Sequence, residues 1–547
     1  MIRTLLVYYP GYPYTTATLM PRAVLAGMAG ALADAGYGVV VKDFGAIEHL
    51  TRFDREALAH VAGGNGGQRR ARRQFMAHEA AGCTATAQAM AADGPADLVV
   101  LEVARREDFS STFALCRALR AAMPGVTLLW VGAAVRRYAE VLVSAPAFHA
   151  LGAALVTGDA EPAAVAVASR LAAGHAPFSA PNLLVGADGA SYATALCPVP
   201  DLDALPWPTY ARSVYPAVHG TGKLKLFHVA DSRGCDYAGF ADAVRPLEWR
   251  TVRSRKPGAV CAELVGLNRQ VGARAVHFTG AGTPAATLDA LAYEILARCL
   301  YVRYSRTAHV RNTDPSTVAT LAASGCHALE FGVDTGSQRL LEDFYGHSFG
   351  VSEVEQVLRA CHAAGVFVSA RFTFPCPEDD RHTRAETLRL LRRAQPDAVV
   401  LRAPDIAPGS RWAAHARSFG FRIDARRYAR WVFEGGVPVA GAEPALPWRS
   451  TGWRNGSAAR ARDALVTVLQ GEGFAFEVTA DEALVARMAG VDPAGEVVFA
   501  HDLRAALARC DAEDAAELVD RFNSAAAAPV NTVAFPKAVS LRAVAGN

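Results

Sequence analysis

A single cysteine stands in a loop whose spacing is that of a three-thiolate iron–sulfur motif. In residues 231–242, Cys235 and Phe240 fit the frame C-x-x-x-C-aromatic-x-C, but Gly239 and Asp242 occupy the other two cysteine positions. An iron–sulfur cluster is held by soft thiolates, and a carboxylate is a hard oxygen ligand that matches it poorly. We therefore expect no iron–sulfur cluster and no metal ligands here. The alternative is a cluster held unusually, with Asp242 as an oxygen ligand.

Two histidines are the candidate catalytic residues. His228 and His277 each lie in a short apolar run of the kind that forms a buried strand. The imidazole titrates near neutral pH, so either side chain could act as a general base or as a ligand near a reacting group. The alternative for both is a hydrogen-bonded structural role.

The elements that would position these residues begin with a first βα alternation. Strands are predicted at 4–9, 38–42, 96–102, 126–131 and 153–156, with helices at 21–35 and 110–122. Continuous apolar strands alternating with helices indicate a doubly wound, Rossmann-like parallel sheet covered on both faces. Its ligand crevice should lie beyond the carboxyl ends of the strands. The polar stretch 63–73 is predicted to be a loop.

A second alternation begins after a stretch rich in Pro, Gly and Ser. Strands are predicted at 224–230, 274–279, 301–308, 328–333, 367–374 and 398–403, with helices at 259–271, 288–299, 315–324, 351–364 and 384–394. Six βα units predict a partial TIM-like (βα)6 barrel, whose site forms at the carboxyl ends of its strands. The predicted domains are 1–175, a linker at 176–222, the barrel at 223–425, and a small, mainly helical C-terminal domain at 426–547 without an interpretable motif.

Bulk composition narrows the class of partner. Of 547 residues, 51% are hydrophobic and 20% charged, which predicts a globular chain of several domains. The formal net charge of +3 gives no reason to expect nucleic acid or a membrane surface as partner. The ten cysteines are scattered, and we find neither a signal peptide nor an apolar run long enough to span a bilayer. A reduced cytoplasm is the expected location.

Several segments, taken together, carry a family resemblance over residues 1 to about 425. They are RSRKP at 253–257 followed by Glu263-Leu264, GCHALEFGVDTGS at 325–337, FTFPCPED at 372–379 and APGS at 407–410. In this order they resemble the cobalamin-binding branch of the radical S-adenosylmethionine superfamily. The resemblance implies a cobalamin-binding sheet domain, a linker and a βα barrel, with cobalamin as cofactor and S-adenosylmethionine as a second one if it still binds.

The resemblance also implies cofactor-binding residues. For S-adenosylmethionine they are Thr279, Gly280, Arg303, Arg306, Asp334 and Ser337. For cobalamin they are Pro10, Gly11, Arg105, Arg106, Gly132, Gly158 and Glu161. The ligand-histidine motif D-x-H-x-x-G is absent, so cobalamin would bind without a protein histidine on cobalt. Ala133 and Ala134 replace the usual pair after Gly132. The alternative for the S-adenosylmethionine residues is that they are remnants lining an empty or repurposed cavity, and the alternative for Arg105 or Arg106 is a surface position.

Without the cluster, reductive cleavage of S-adenosylmethionine to a radical is ruled out. The leading hypothesis is therefore polar methyl transfer, from S-adenosylmethionine through cobalamin to a small secondary metabolite, with in-line placement of donor and acceptor supplying most of the rate. A cobalamin-assisted cyclisation or rearrangement is one alternative. Another is a noncatalytic pseudoenzyme that serves a protein partner or paralogue, or that senses cobalamin.

Overall fold

Two parallel sheets organise the chain. The computed structural model describes residues 2–62, 68–187, 190–237, 239–240, 251–437, 446–453 and 457–527. The first sheet contains β1 (Arg3–Tyr8), β2 (Gly38–Asp43), β3 (Leu98–Glu102), β4 (Thr127–Val131), β5 (Ala153–Val156), β6 (Leu183–Ala187) and β7 (Ala190–Ala193). Its strand order is β2-β1-β3-β4-β5-β6-β7, parallel as far as β5 and antiparallel thereafter. Every residue of β3, β4 and β5 is buried, as expected for a sheet covered on both faces.

Eight helices lie in the described part of this half of the chain. They are α1 (Thr16–Leu19), α2 (Ala23–Asp34), α3 (Arg55–Ala62), α4 (Gln68–Ala92), α5 (Phe109–Ala122), α6 (Ala133–Val143), α7 (Pro146–His149) and α8 (Ala160–Ala172). Residues of α2 and α8 belong to one core, and residues of α4, α5 and α6 belong to the core on the opposite face.

The predicted loop at 63–73 is wrong for residues 68–73, which form the start of α4; residues 63–67 lie outside the described part of the chain. Ala71 and Phe75 are buried one helical turn apart, so tertiary packing of that face overrides the polar local composition.

The second set of strands forms a half-open barrel. Its members are β8 (Leu226–Val229), β9 (Ser232–Arg233), β10 (Arg253–Ser254), β11 (Ala275–Phe278), β12 (Arg303–Ala308), β13 (Cys326–Asp334), β14 (Phe367–Thr373), β15 (Ala398–Arg402), β16 (Phe421–Ile423), β17 (Trp448–Ser450) and β18 (Ala475–Phe476). Seven of them make one parallel sheet in the order β18-β15-β14-β13-β12-β11-β8. The six predicted barrel strands are all present, and β18 adds a seventh at the edge. The pairs β9–β10 and β16–β17 are short antiparallel ribbons.

Some helices of this half of the chain pack on the outer face of the barrel sheet, and others pack on its inner face. They are α9 (Pro257–Val271), α10 (Ala285–Ala297), α11 (Pro315–Ala323), α12 (Gln338–Leu340), α13 (Val351–Ala363), α14 (Arg381–Ala394), α15 (Arg411–Ala414), α16 (Ala425–Phe433), α17 (Ser457–Gly471), α18 (Ala480–Met488), α19 (Glu496–Ala508) and α20 (Ala512–Ala527). The five predicted barrel helices correspond to α9, α10, α11, α13 and α14, which pack in turn around the outer face.

The C-terminal helices close the barrel from within. Ala328, Phe367 and Ala398, on the inner face of three strands, share a core with residues of α18 and α19. Leu226 and Ala275 pack with the other faces of α18, α19 and α20. The α/β fold class is thus confirmed, with the C-terminal helices built onto the barrel. The predicted domain boundaries remain a proposal, because β6 and β7 extend the first sheet into residues expected to be a linker.

One described segment, Thr16–Asp34, is long and apolar enough by composition to cross a membrane, contrary to the expectation that none would be. Its most apolar window is 72% buried inside the protein, which is typical of a core helix.

Candidate functional site

The loop that carries Cys235, described at residues 234–237 and 239–240, is attached to the barrel by side-chain and backbone contacts, and we call it the cysteine-poor loop. Its base is the β9–β10 ribbon, and Cys235 follows it, half-buried. Tyr237 stacks on His309 with 4.4 Å between ring centroids and donates a hydrogen bond to Asn312 Oδ1 over 3.1 Å. The Phe240 N–H donates to the Tyr345 carbonyl over 2.7 Å. These contacts place the loop over the carboxyl ends of the barrel strands. Asp242 lies outside the described residues.

The donor chemistry of this loop does not fit an iron–sulfur cluster. Cys261, the nearest other thiol along the chain, is buried in α9 within the hydrophobic core, where burial raises its pKa to about 11. Among the described residues, no group of three or more His, Cys, Asp or Glu side chains is arranged to hold a metal ion. One thiolate cannot anchor a cluster that needs several.

A cavity of about 550 Å³ lies where the carboxyl ends of the two sheets face each other. We call it the intersheet cavity. Small residues following β3, β4 and β5 form one side of it: Ala104, Ala133 and Gly158. Residues following β8 and β11 form the opposite side, and an apolar wall comes from Leu202, Leu205 and Trp207. Its volume is in the range of small-molecule sites in proteins.

Ion pairs join the two sides of the intersheet cavity. Arg233 on β9 lies 2.9 Å from Asp159 Oδ1 and 2.6 Å from Glu161 Oε1. Arg253 on β10 lies 2.8 Å from Asp159 Oδ2. Asp159 is fully buried, and burial alone would raise the pKa of this carboxyl; the two guanidiniums and a backbone N–H reverse this and lower it overall. The base of the cysteine-poor loop is thereby held against the first sheet.

The two candidate histidines lie side by side on adjacent strands, with 5.1 Å between ring centroids. His228 lines the intersheet cavity, and its buried Nε2 has no hydrogen-bond partner among the described residues. Burial, helped by the neighbouring His277, lowers the pKa of His228 to about 3, so the imidazole is neutral. A neutral ring with so low a pKa is a weak proton acceptor.

His277 belongs to a hydrogen-bonded group that includes the C-terminal helix α18. Its Nδ1 lies 2.6 Å from Asp481 Oδ1 and 3.0 Å from Ser305 Oγ. Ser305 in turn donates to the same Asp481 oxygen over 2.6 Å. Burial would raise the pKa of Asp481, but the adjacent His277 lowers it to about 2. The carboxylate stays ionised, so it holds the imidazole in one orientation.

A second cavity, of about 450 Å³, lies inside the barrel on the His277 side. We call it the lumen cavity. Its wall combines the inner faces of several strands with the start of α18 and the start of α1, Thr15–Ala17. Because His228 lines one cavity and His277 the other, the two cavities adjoin at this pair of imidazoles.

No family model and no curated protein matches the chain. Solved structures do. The methyltransferase TsrM from Kitasatospora setae, with cobalamin and a [4Fe-4S] cluster bound, superposes with a TM-score of 0.64 at 14% identity, covering 94% of this chain and all of that one. TsrM with tryptophan and a S-adenosylmethionine analogue gives 0.52 at 15% identity, covering 74% and 73%. The enzyme OxsB, with aqua-cobalamin and S-adenosylmethionine, gives 0.53 at 12% identity, covering 86% and 62%.

The chain has the fold of the cobalamin-dependent radical S-adenosylmethionine enzymes. The resemblance found in its sequence motifs is thus matched by a superposition that spans nearly the whole chain. At these identities the likeness concerns the fold, and the chemistry must be argued from the residues of this chain.

Within this radical S-adenosylmethionine fold, the residues predicted to bind cobalamin separate into two groups. Gly158 and Glu161 line the intersheet cavity, as predicted for the carboxyl end of β5. Gly132 precedes α6 with φ of 123°, and a Cβ there would lie 2.4 Å from the Val103 carbonyl oxygen, so the glycine is required for close backbone packing.

The other four residues predicted to bind cobalamin make their contacts within the protein. The Pro10 carbonyl accepts a hydrogen bond from Arg52, and a Cβ on Gly11 would lie 1.8 Å from the Glu107 carbonyl oxygen. Arg105 pairs with Asp108 at 3.0 Å and also donates to the Pro13 carbonyl. Arg106 donates to the Trp431 carbonyl and lies over that indole ring. These four residues do not line the intersheet cavity.

Of the six residues predicted to bind S-adenosylmethionine, two line the intersheet cavity and four do not. Thr279 and Gly280 line the intersheet cavity. Arg306 is buried and pairs with Asp231 at 2.8 Å, whereas Arg303 lies at the amino end of β12 beside Tyr301. The two arginines therefore do not form a fork for a carboxylate.

Asp334 and Ser337 lie at the carboxyl end of β13 and are not among the residues that line the intersheet cavity. Asp334 accepts hydrogen bonds from His347 Nε2 at 2.8 Å and from Thr373 Oγ1 at 2.6 Å. Burial opposes ionisation of this carboxyl, but the partners, His347 foremost, lower its pKa overall. Ser337 is buried where α12 begins.

Asp481 is the residue that sequence reasoning missed. The only local signal is Thr479-x-x-Glu482, a capping box that marks the start of a helix, and the structure shows its reciprocal hydrogen bonds. That pattern predicts where α18 begins but not which strand its first turn meets.

Proposed function

We propose that the chain is a cobalamin-dependent transferase that moves a methyl group from S-adenosylmethionine to a small metabolite by polar chemistry, without radical initiation. The observation that supports this most is the intersheet cavity, which lies between the carboxyl ends of both sheets and beside a loop with one thiol. Ligands of open α/β sheets and of βα barrels bind at the carboxyl ends of strands, so both halves of the fold direct a ligand to this cavity.

The residues around the cavity fit a large, flat, polar cofactor. Ala104, Ala133 and Gly158 present little side chain, which allows a ring system to approach the sheet. Burial and the nearby Arg233 lower the pKa of Arg136, so an anionic group such as a phosphate would stabilise its charge there. When bound, cobalamin supplies a cobalt centre that can take up a methyl group and give it to an acceptor.

The protein's own part in such a step is positioning and proton transfer. His277 is held at Nδ1 by Asp481, so Nε2 is the nitrogen left to accept a proton from an acceptor N–H or O–H. His228 lines the intersheet cavity, where the cofactor would bind, and its imidazole ring is neutral. For S-adenosylmethionine, Asp334 remains our candidate for contacts with ribose hydroxyls, because its lowered pKa keeps an ionised acceptor at the end of β13.

The test is the visible spectrum and metal content of anaerobically purified protein after loading with cobalamin. We expect about one cobalt per chain and no stoichiometric iron or sulfide. Ala133→Trp, which fills the intersheet cavity, should abolish cobalt binding, whereas Ala33→Trp on the exposed side of α2 should leave it unchanged. Retained cobalt in Ala133→Trp would contradict the assigned cavity, and stoichiometric iron and sulfide would overturn the nonradical mechanism.

A noncatalytic role is the second candidate, and one observation favours it. Gly11 and Arg105 pack the end of β1 tightly against the loop after β3, so the crevice at that point of the first sheet is filled by protein. This is the switch point of the strand order, where doubly wound sheets bind their ligands. Protein that takes up neither cobalt nor iron would support a pseudoenzyme that acts through a partner.

A further inference from the structure

The lumen cavity has a chemistry of its own. Its volume is about 450 Å³, and every described residue of its wall except Ala17 and Ala480 is polar or charged. No Phe, Tyr or Trp is among the described residues of the wall. A ligand here would be held by hydrogen bonds and charge, with little contribution from apolar contact or ring stacking.

The charges of this wall favour a cation. Four carboxylates and two guanidiniums line the cavity. Each guanidinium is already bound to a carboxylate: Arg402 lies 2.5 Å from Glu477, and Arg504 lies 2.7 Å from Glu482. The arginines are thus committed within the protein, and the wall presents mainly hydrogen-bond acceptors to a ligand.

The other two carboxylates stand on different elements. Glu330 projects from β13 and pairs at 3.1 Å with Arg371, whose side chain is 41% exposed and therefore screened by solvent. Asp481 projects from the first turn of α18 and bonds His277 and Ser305. An ammonium group between them would make charge-assisted hydrogen bonds, which are about twice as strong as neutral ones. Thr307 supplies a hydroxyl for the rest of the ligand, and the Thr16 and Thr479 hydroxyls, which donate to Glu482, can accept hydrogen bonds from it.

We infer that the lumen cavity binds a small hydroxylated amine, held as an ammonium ion by Glu330 and Asp481, with His277 Nε2 as the adjacent proton acceptor. Asp481 acts on this proton transfer as a positioning residue through His277 Nδ1. Binding of the amine is independent of cobalamin, because the intersheet cavity has a different wall. Only the assignment of this amine as the methyl acceptor rests on the proposed function.

The experiment uses the full chain without cobalamin and two matched probe pairs. The probes are glucosamine and 2-amino-1,3-propanediol, each compared with its N-acetyl derivative, and binding is followed by isothermal titration calorimetry and ligand-observed NMR. We expect both amines to bind at least tenfold more tightly than their neutral derivatives. Equal binding of amine and derivative, or binding of neither amine, would overturn the inference.

Variants locate the site. Asp481→Asn and Glu330→Gln should each weaken amine binding at least tenfold, and Glu378→Gln, which removes an exposed carboxylate from a surface pair, should not. Thr307→Met narrows the cavity without changing its charge and should abolish amine binding. This variant keeps the test decisive if Asp481→Asn fails to fold. Unchanged binding in Glu330→Gln and Thr307→Met would place the amine elsewhere. The visible spectrum after cobalamin loading, recorded on the same samples, reports separately on the proposed function.

Discussion

His277 and Asp481 share a hydrogen bond of 2.6 Å that joins the second barrel strand to the C-terminal helix α18. The contact lies at the boundary between the two cavities, with His228 on the other side. It therefore links the first turn of α18 to the residues with the best geometry for acid–base work.

Asp481→Asn should destabilise the protein and change the state of His277. The variant keeps the shape but loses the charge that pairs with the imidazole, so we expect a loss of about 1–3 kcal/mol in the free energy of unfolding. Urea unfolding measures this loss, and ¹⁵N NMR of the histidine ring should show an altered tautomer or protonation state. The control is Asp502→Asn, on an exposed position of α19. An unaltered His277 spectrum would argue against a positioning role.

Acid should destabilise the protein through His228. Its pKa is lowered from 6.5 to about 3 in the folded state, so between these pH values the unfolded chain binds a proton that the folded chain does not. Stability attributable to this group is complete above pH 6.5 and is lost as the pH falls, by about 1.4 kcal/mol per pH unit within the window. His228→Gln should flatten the dependence of unfolding free energy on pH between 6 and 4, and His175→Gln, at an exposed position, should not. Identical slopes would refute the assignment.

Asp159→Asn should be strongly destabilising. Asp159 is fully buried and serves both Arg233 and Arg253, so its removal leaves two guanidiniums partly uncompensated, at a cost of about 3–5 kcal/mol. Chemical denaturation gives the value. Asp93→Asn, in the exposed pair with Lys42, should change stability by no more than about 1 kcal/mol. Similar losses in the two variants would mean that the buried pairs do not hold the loop against the first sheet.

Replacing the two missing cysteines should restore cluster binding. We expect wild-type protein to retain no stoichiometric iron after anaerobic reconstitution, because Cys235 is the only thiol of its loop. The double variant Gly239→Cys/Asp242→Cys should gain iron and sulfide, while Gly239→Cys alone should not. Iron and sulfide assays decide this, and stoichiometric uptake by the wild type would establish a cluster with unusual ligands.

The periodicity of the sequence predicted β1 to β5 of the first sheet and six of the seven strands of the barrel sheet, because buried parallel strands are continuous apolar runs separated by helical crossover connections. It did not predict β6, β7 or β18. It also determined the donor chemistry of the loop at Cys235, since the residues at fixed spacing are present or absent whatever the fold. The periodicity of the sequence did not predict that residues 68–73 are helical, because Ala71 and Phe75 are buried only through tertiary packing.

Tertiary structure alone decided how the site is assembled. Arg105 and Arg106 follow a strand as predicted, yet their guanidiniums bond to neighbouring backbone carbonyls and carboxylates. Asp481 has no pattern relating it to His277, because the contact depends on how α18 docks inside the barrel. Sequence spacing reports neighbours along one element, whereas a hydrogen bond between distant elements depends on the packing that brings them within about 3 Å.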